Sequence, residues 1–147
     1  MQQTFRSYNI LIVEDSPGDA GLIREAFADC GEACSLTFAA NTQAARDLLN
    51  KENFDLILWD MSFSNEEGAD FIRQIRADAR LKSLPVIVLS GTPNPRLAYE
   101  AGANAFVSKS MDLDSFFAKI KALMHFWVEI VELPRVPGPD ELTSVTR

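Results

Sequence analysis

The stretch Tyr-Asn-Ile-Leu-Ile-Val-Glu-Asp, residues 8–15, is a run of β-forming residues that stops at two carboxylates, Glu14 and Asp15. A second apolar run stops at Asp60, and a third leads to Lys109. In an open parallel α/β sheet, ligands bind at the carboxyl ends of the strands. If the three runs are neighbouring parallel strands, three carboxylates and one ammonium group meet at one edge of the sheet. This arrangement predicts a site for a divalent cation and a phosphoryl group.

Strand-like and helix-like segments alternate five times, which is the pattern of βαβ units around a parallel sheet. The expected strands lie near residues 8–13, 36–40, 54–59, 85–89 and 104–107. The expected helices begin near residues 17, 42, 68, 95 and 111, and the last reaches about Val131. Because crossovers are right-handed, helices must cover both faces of the sheet. We predict a flavodoxin-like α/β fold, a (βα)5 doubly wound parallel sheet with strand order 2-1-3-4-5, which brings Asp15 and Asp60 together.

Size, charge and composition argue against several classes of protein. The 147 residues fit one domain. The formal net charge of −7 argues against a nucleic-acid surface, because Lys and Arg are the residues that bind phosphate backbones. The longest apolar run is far shorter than the roughly 18 residues of a membrane span, and the first residues lack the form of a signal peptide. We therefore expect a cytoplasmic protein that neither binds nucleic acid nor enters a membrane.

The two cysteines, Cys30 and Cys34, make no disulfide framework and suggest a reducing compartment. We expect both to behave as partly buried small hydrophobic residues. A redox role is the alternative.

The clustered carboxylates require a cation. Each carboxylate raises the pKa of the others, and Lys109 offsets only one charge. A hard divalent cation completes the balance, and Mg²⁺ suits a site with one or two carboxylates, waters and a phosphate. An Asp side chain can act as a nucleophile and form an aspartyl-phosphate. Ser90 closes the fourth predicted strand at the same edge, where its hydroxyl can donate a hydrogen bond to a phosphoryl oxygen.

Charged residues at strand ends also occur without any function, because strands end at water. The joint arrangement is much more specific: an acid pair, an Asp, a Ser and a Lys follow the first, third, fourth and fifth strands. A metal-dependent phosphohydrolase could use the same intermediate. Such enzymes carry a second carboxylate two residues after the nucleophile, and position 62 is a serine here. That class of enzyme is therefore the less favoured hypothesis.

Four motifs together resemble the receiver domain of two-component response regulators, over about residues 7–125. They are Ile-Leu-Ile-Val-Glu-Asp-Ser (10–16), Asp-Leu-Ile-Leu-Trp-Asp (55–60), Pro-Val-Ile-Val-Leu-Ser-Gly (85–91) and Ala-Gly-Ala-Asn-Ala-Phe-Val-Ser-Lys (101–109). The resemblance implies that Asp60 accepts a phosphoryl group from a histidine kinase. It also implies a protein that dephosphorylates itself and does not turn over an external substrate.

The resemblance assigns a metal site to this edge. Glu14 and Asp15 would belong to the acidic Mg²⁺ pocket, with Asp15 as a direct ligand. Asp60 would share the ion, and the main-chain carbonyl of Ser62 would complete the protein ligands.

The resemblance also assigns the groups that respond to phosphate. Ser90 and Lys109 would hold the phosphoryl oxygens, and Phe106 matches the switch aromatic that turns inward as Ser90 moves. Ser62 and Thr92 occupy the positions that tune the phosphate lifetime.

One departure from the family concerns the residue after Lys109, which is Ser110 where the family usually has a proline. This departure speaks weakly for an alternative, a phosphorylation-independent pseudo-receiver that acts as a dimeric adaptor. The complete set of site residues speaks against that alternative.

The second half of the last predicted helix is apolar on most sides. Such a helix needs cover, and an exposed apolar patch marks an interface. We predict a homodimer whose interface includes Phe126, Trp127, Ile130, Val131 and Leu133. The alternative is a larger local core closed by residues 133–139. Three prolines in six residues cannot be helical, so we divide the chain into a receiver domain, 7–131, and an extended arm or tail, 132–147.

The ending His-Phe-Trp-Val-Glu-Ile-Val-Glu-Leu-Pro, residues 125–134, is similar to the tails of single-domain regulators that serve bacterial and cyanobacterial phytochromes. Residues 15–20 are also similar to that group. The resemblance implies a phytochrome histidine kinase as the partner and a tail that mediates dimers. Output would then be a protein contact or a phosphorelay.

Overall fold

The computed structural model describes residues 7–28, 34–61, 66–91, 94–109, 112–134 and 136–140. In these ranges one sheet contains the parallel strands β1 Tyr8–Val13, β2 Cys34–Ala39, β3 Leu56–Trp59, β4 Val86–Ser90 and β5 Ala105–Ser108. The helices are α1 Pro17–Ala26, α2 Thr42–Lys51, α3 Glu66–Ala77, α4 Pro95–Ala101 and α5 Leu113–Met124, and a π-helical segment, His125–Ile130, continues α5. The strand order is β2-β1-β3-β4-β5, so the predicted flavodoxin-like fold is confirmed.

Helix ends follow local sequence signals. The Ser16 hydroxyl accepts a hydrogen bond from the Asp19 amide at 3.3 Å, and Pro17 takes the first position of α1. The Asn41 side chain caps α2 in the same way, accepting from the Ala44 amide at 2.8 Å. α4 ends at Gly102, whose φ of 118° is left-handed. A Cβ at this position would lie 2.7 Å from the side chain of Arg76, so the turn requires glycine.

The sheet separates two apolar layers, because successive residues of a strand point to opposite faces. Ile10 and Ile12 of β1 pack with α1 and α5. Leu11 and Val13 pack with α2, α3 and α4, in the layer that also contains Trp59 of β3. β3, β4 and residues 10–13 of β1 are buried on both sides, as expected for the central strands of the sheet.

The register places the predicted site residues at one edge. Val13 pairs with Trp59, and the Asp60 amide donates to the Val13 carbonyl at 2.8 Å. At the other side of the edge, the Lys109 amide donates to the Ser90 carbonyl at 2.9 Å. The carboxyl ends of β1, β3, β4 and β5 therefore meet.

The last helix changes its winding. The Val131 amide donates to the Phe126 carbonyl at 2.8 Å, which is π-helical spacing. The buried residues occur every fourth position, at Phe116, Ile120, Met124 and Val128. In an α-helix, each side chain at a spacing of four residues is rotated by about 40° around the helix axis relative to the one before it. The wider π turn offsets the drift, so that Val128 still faces the core.

The chain beyond the π-helical segment folds back on its own domain. Leu133 and Val136 are buried, and Val136 lies in the layer formed with α2 and α3. The guanidinium of Arg80 donates to the Pro137 carbonyl at 3.0 Å and to the Leu49 carbonyl at the end of α2. These contacts tie Leu133, Val136 and Pro137 to the domain.

The prediction of reduced cysteines is wrong for Cys34, which is disulfide-bonded. The chain has one other cysteine, Cys30, which lies outside the described residues. Two cysteines in the whole chain form no framework pattern, so the composition gave no signal that Cys34 is bonded.

Among the described residues, none of the helices has the combination of length and apolar character that crossing a membrane requires.

Candidate functional site

A cavity of about 230 Å³ opens at the carboxyl edge of the sheet. Its lining comes from the ends of β1, β3, β4 and β5 and from the first turn of α1. The lining residues are Glu14, Asp15, Asp19, Asp60, Met61, Leu89, Ser90, Gly91 and Lys109. The structure therefore brings together the acid pair, the Asp, the Ser and the Lys that the sequence singled out.

Asp60 follows β3 directly and is 2% exposed. Among the described residues, no group gives either carboxylate oxygen of Asp60 a hydrogen bond, although both oxygens are buried. A buried polar atom without a partner costs about 1–3 kcal/mol, and more when it is charged. These oxygens are therefore suited to a ligand that the chain itself does not supply.

Glu14 follows β1 and is 5% exposed. One of its oxygens accepts a hydrogen bond from the Ser16 amide at 2.9 Å, and the other has no partner among the described residues. Burial, and then the neighbouring Asp60 carboxylate, raise the pKa of Glu14 to about 9. Glu14 therefore holds a proton at neutral pH when no cation is present.

Lys109 joins two carboxylates across the cavity. Its ammonium donates a hydrogen bond to Asp19 Oδ2 at 2.7 Å and lies 3.0 Å from Asp60 Oδ1. Burial lowers the pKa of Lys109, but the hydrogen bond to Asp19 and the charge of Asp60 outweigh it, and the net pKa is raised. Lys109 therefore stays charged beside the buried carboxylate.

The acidic group of the cavity differs from the predicted one. Glu14, Asp19 and Asp60 each place one oxygen within 4.8 Å of the others. Asp15, the expected direct ligand, lines the cavity but is exposed and is not part of this group. The closely spaced oxygens and the unpaired lone pairs of Asp60 fit a divalent cation, because such ions take oxygen ligands.

Asp19 was not among the residues predicted for the site. One signal was available: Asp19 lies one helical turn beyond the acid pair, in a helix that begins at the predicted edge. The side-chain direction depends on how α1 packs, and no local pattern encodes this.

The remaining predicted residues are placed as follows. Ser90 is buried at the end of β4. Phe106 is half-buried on β5, and its amide donates to the Tyr99 hydroxyl at 3.1 Å. Ser62 and Thr92 lie outside the described residues.

The predicted dimer residues divide into three groups. Phe126 and Ile130 are 49% and 58% exposed. Trp127 and Val131 are half-buried, and the Trp127 ring meets the Phe126 ring edge-on at 5.5 Å. Leu133 is 6% exposed, because the chain folds back after the π-helical segment and buries it in its own core. Leu133 is therefore not available to a partner in this structure.

The sequence matches the response regulator receiver domain over residues 10–121. Response regulator Rcp1 of Synechocystis sp. is 30% identical over 135 residues, which cover 85% of this chain and 92% of Rcp1. The crystal structure of the phosphorylated cyanobacterial phytochrome response regulator RcpA has a TM-score of 0.78 at 29% identity, covering 87% of this chain and 99% of RcpA. The crystal structure of Mn²⁺-bound Rcp1 also has a TM-score of 0.78 at 29% identity, covering 86% and 99%.

The family match spans most of the chain, and the fold and the acidic edge agree with it. The chain therefore belongs to the response regulator receiver domains of two-component signalling.

Proposed function

We propose that Asp60 accepts a phosphoryl group from a histidine kinase and that the phosphorylated domain signals through protein contacts or a phosphorelay. The observation that carries the proposal is the buried Asp60 carboxylate, whose two oxygens lack hydrogen bonds while an ammonium lies 3.0 Å away. A buried acid without hydrogen bonds is costly for stability alone. It is useful where an incoming phosphoryl group and a cation complete the site.

The chemistry is a phosphoryl transfer between two side chains. An oxygen of Asp60 forms a bond to phosphorus while the bond from phosphorus to the kinase histidine nitrogen breaks, and the electron pair of that bond stays on the imidazole. Lys109 neutralises charge on the phosphoryl oxygens, and the Ser90 hydroxyl donates to one of them. Because Glu14, Asp60 and Lys109 are already in place, little reorganisation is required.

We assign Mg²⁺ as the cation of this site. Glu14, Asp15 and Asp60 are the side chains that could hold it, and the main-chain carbonyl of Ser62 is a further candidate. When bound, the ion would supply positive charge to the phosphoryl oxygens. The Mn²⁺-bound form of Rcp1 supports a divalent ion in a protein of this family.

We assign Ser62 and Thr92 to control of the phosphate lifetime, and Phe106 to the response that follows phosphorylation. The hydrogen bond from the Phe106 amide to Tyr99 supports the second assignment, because it links β5 to the exposed face of α4. Both assignments follow from the family.

We propose further that Phe126, Trp127, Ile130 and Val131 contact a second copy of the chain. The support is the exposure of two large apolar side chains, Phe126 and Ile130, in the π-helical segment that continues α5. A phytochrome histidine kinase in the cytoplasm is the proposed phosphodonor, supported by the similarity to RcpA, which is a phytochrome response regulator.

The test is labelling by acetyl phosphate in the presence of Mg²⁺, read as the mass gain of one phosphoryl group. Wild type should be labelled and Asp60→Asn should not. Asp47→Asn, which removes an exposed carboxylate on α2, is the matched control and should be labelled like wild type. Labelling of Asp60→Asn to the same extent as wild type would disprove that Asp60 accepts the phosphoryl group. Absence of label in every protein, including wild type, would favour the alternative of a phosphorylation-independent dimeric adaptor.

A further inference from the structure

Asp19 holds the strongest polar contact of Lys109. The ammonium donates a hydrogen bond to Asp19 Oδ2 at 2.7 Å and lies 3.0 Å from Asp60 Oδ1. Lys109 therefore contributes positive charge to Asp60 while one of its three N–H donors is held by Asp19.

Asp19 is itself held in place by the start of α1. The Asp19 amide donates to the Ser16 hydroxyl, and the Ser16 amide donates to Glu14 at 2.9 Å. A chain of contacts thus runs from Glu14 through Ser16 and Asp19 to Lys109, and ends at Asp60. It fixes the carboxylate of Asp19 relative to the sheet.

Lys109 needs such a restraint for two reasons. Its long side chain has several rotatable bonds, and it must reach from the end of β5 past β4 to a residue on β3. The next residue is Ser110, so no proline ring restricts the backbone there. A side-chain partner is then an effective way to hold the ammonium.

We propose that Asp19 is a positioning residue that holds the Lys109 ammonium beside Asp60. This inference rests on the proposed phosphoryl transfer to Asp60. It differs from a role as metal ligand, in which Asp19 would mainly set the affinity for the cation. It also differs from an ordinary surface ion pair, which would have no effect on transfer.

The first experiment measures the rate of labelling by acetyl phosphate across a Mg²⁺ titration. Asp19→Ala should lower the rate at saturating Mg²⁺ between about 5-fold and 100-fold, because small misplacements of a positioning group cost up to about that much. The Mg²⁺ midpoint should move by less than about two-fold. Asp19→Glu should recover much of the rate.

Asp114→Ala is the matched control, because Asp114 is an exposed acid in the first turn of α5. It should behave as wild type. An unchanged rate in Asp19→Ala, a faster rate, or an unchanged plateau with a raised Mg²⁺ midpoint would each overturn the proposal. Circular dichroism checks folding, and Asp19→Asn replaces Asp19→Ala if the latter does not fold.

The second experiment needs neither metal nor phosphodonor. In chelator, the urea midpoints of Asp19→Ala, Lys109→Met and the double variant form a double-mutant cycle. The proposal requires a clearly non-additive effect, because each variant removes the same contact, and additivity would overturn it. If wild type is not labelled, the proposed function fails, while this cycle still decides whether Asp19 restrains Lys109.

Discussion

At the carboxyl edge of the sheet charged side chains are buried, whereas at the far end of α5 large apolar side chains are exposed. Asp60 and Glu14 are nearly inaccessible, yet Phe126 and Ile130 have about half of their surface in solvent. Both regions depart from the usual partition, in which apolar residues are inside and charged residues outside. The two departures have different costs. The buried charges reduce the stability of the monomer, and the exposed apolar side chains leave a surface that is prone to self-association. Under the proposed function, a cation and a phosphoryl group would relieve the first cost, and a second copy of the chain would relieve the second.

The largest effect on stability is expected at Leu133, the buried residue that follows the exposed apolar side chains. Leu133→Ala should lower the free energy of unfolding of the monomer by about 2–5 kcal/mol, since it deletes a buried side chain. Ile130→Ala, three residues earlier and exposed, should change it by no more than about 0.5 kcal/mol. Urea unfolding at protein concentrations that favour the monomer measures both. Similar values for the two variants would mean that Leu133 is not part of the core.

Next in size is the effect on assembly. Changing Phe126 and Ile130 together to Asp should weaken self-association at least about 30-fold, because central apolar residues of an interface commonly contribute 2 kcal/mol or more. Sedimentation measures the dissociation constant. Leu113→Asp is the matched control, being 49% exposed at the other end of α5. If that control dissociates the dimer and the double variant does not, the contact surface lies elsewhere.

The smallest effect, taken per pH unit, concerns the buried acid. In metal-free protein, Glu14 keeps its proton up to about pH 9, whereas in the unfolded chain it ionises near pH 4.5. The folded state therefore binds more protons between these values, and stability falls as pH rises through that window. Glu14→Gln should remove this contribution, which is at most about 1.4 kcal/mol per pH unit. Chemical unfolding of wild type and of Glu14→Gln at a series of pH values measures this contribution. If plots of the free energy of unfolding against pH are parallel for the two proteins, Glu14 ionises near its ordinary pKa.

Strand ends and helix starts could be predicted because each has a local cause. The buried runs before Glu14 and Asp60 set the sheet, and the caps at Ser16 and Asn41 set the helices. Crossover handedness required helices on both faces of the sheet, and the strand order was taken from the flavodoxin-like fold. Asp60, Lys109 and Ser90 could be placed at one edge because parallel strands align their carboxyl ends.

What the sequence could not predict depends on tertiary packing. The reach of Asp19 to Lys109 requires the rotation of α1 on the sheet. The burial of Leu133 requires the chain to fold back and to be held there by Arg80, more than 50 residues away in sequence. The π winding arises from keeping Val128 in a core stripe that an α-helix would lose. None of these has a signature within a few residues of the side chain concerned.

The length of α5 has a thermodynamic consequence. The helix begins near Lys109, and together with its π-helical segment it is about 25 Å long. The exposed residues Phe126 and Ile130 lie toward its far end. A phosphoryl group on Asp60 therefore cannot touch Phe126 or Ile130. Any influence between the two must be a coupling free energy, and such coupling is reciprocal. If phosphorylation tightens the dimer by some factor, dimerisation must favour the phosphorylated state by the same factor, so the concentration of the protein becomes an input to the signal.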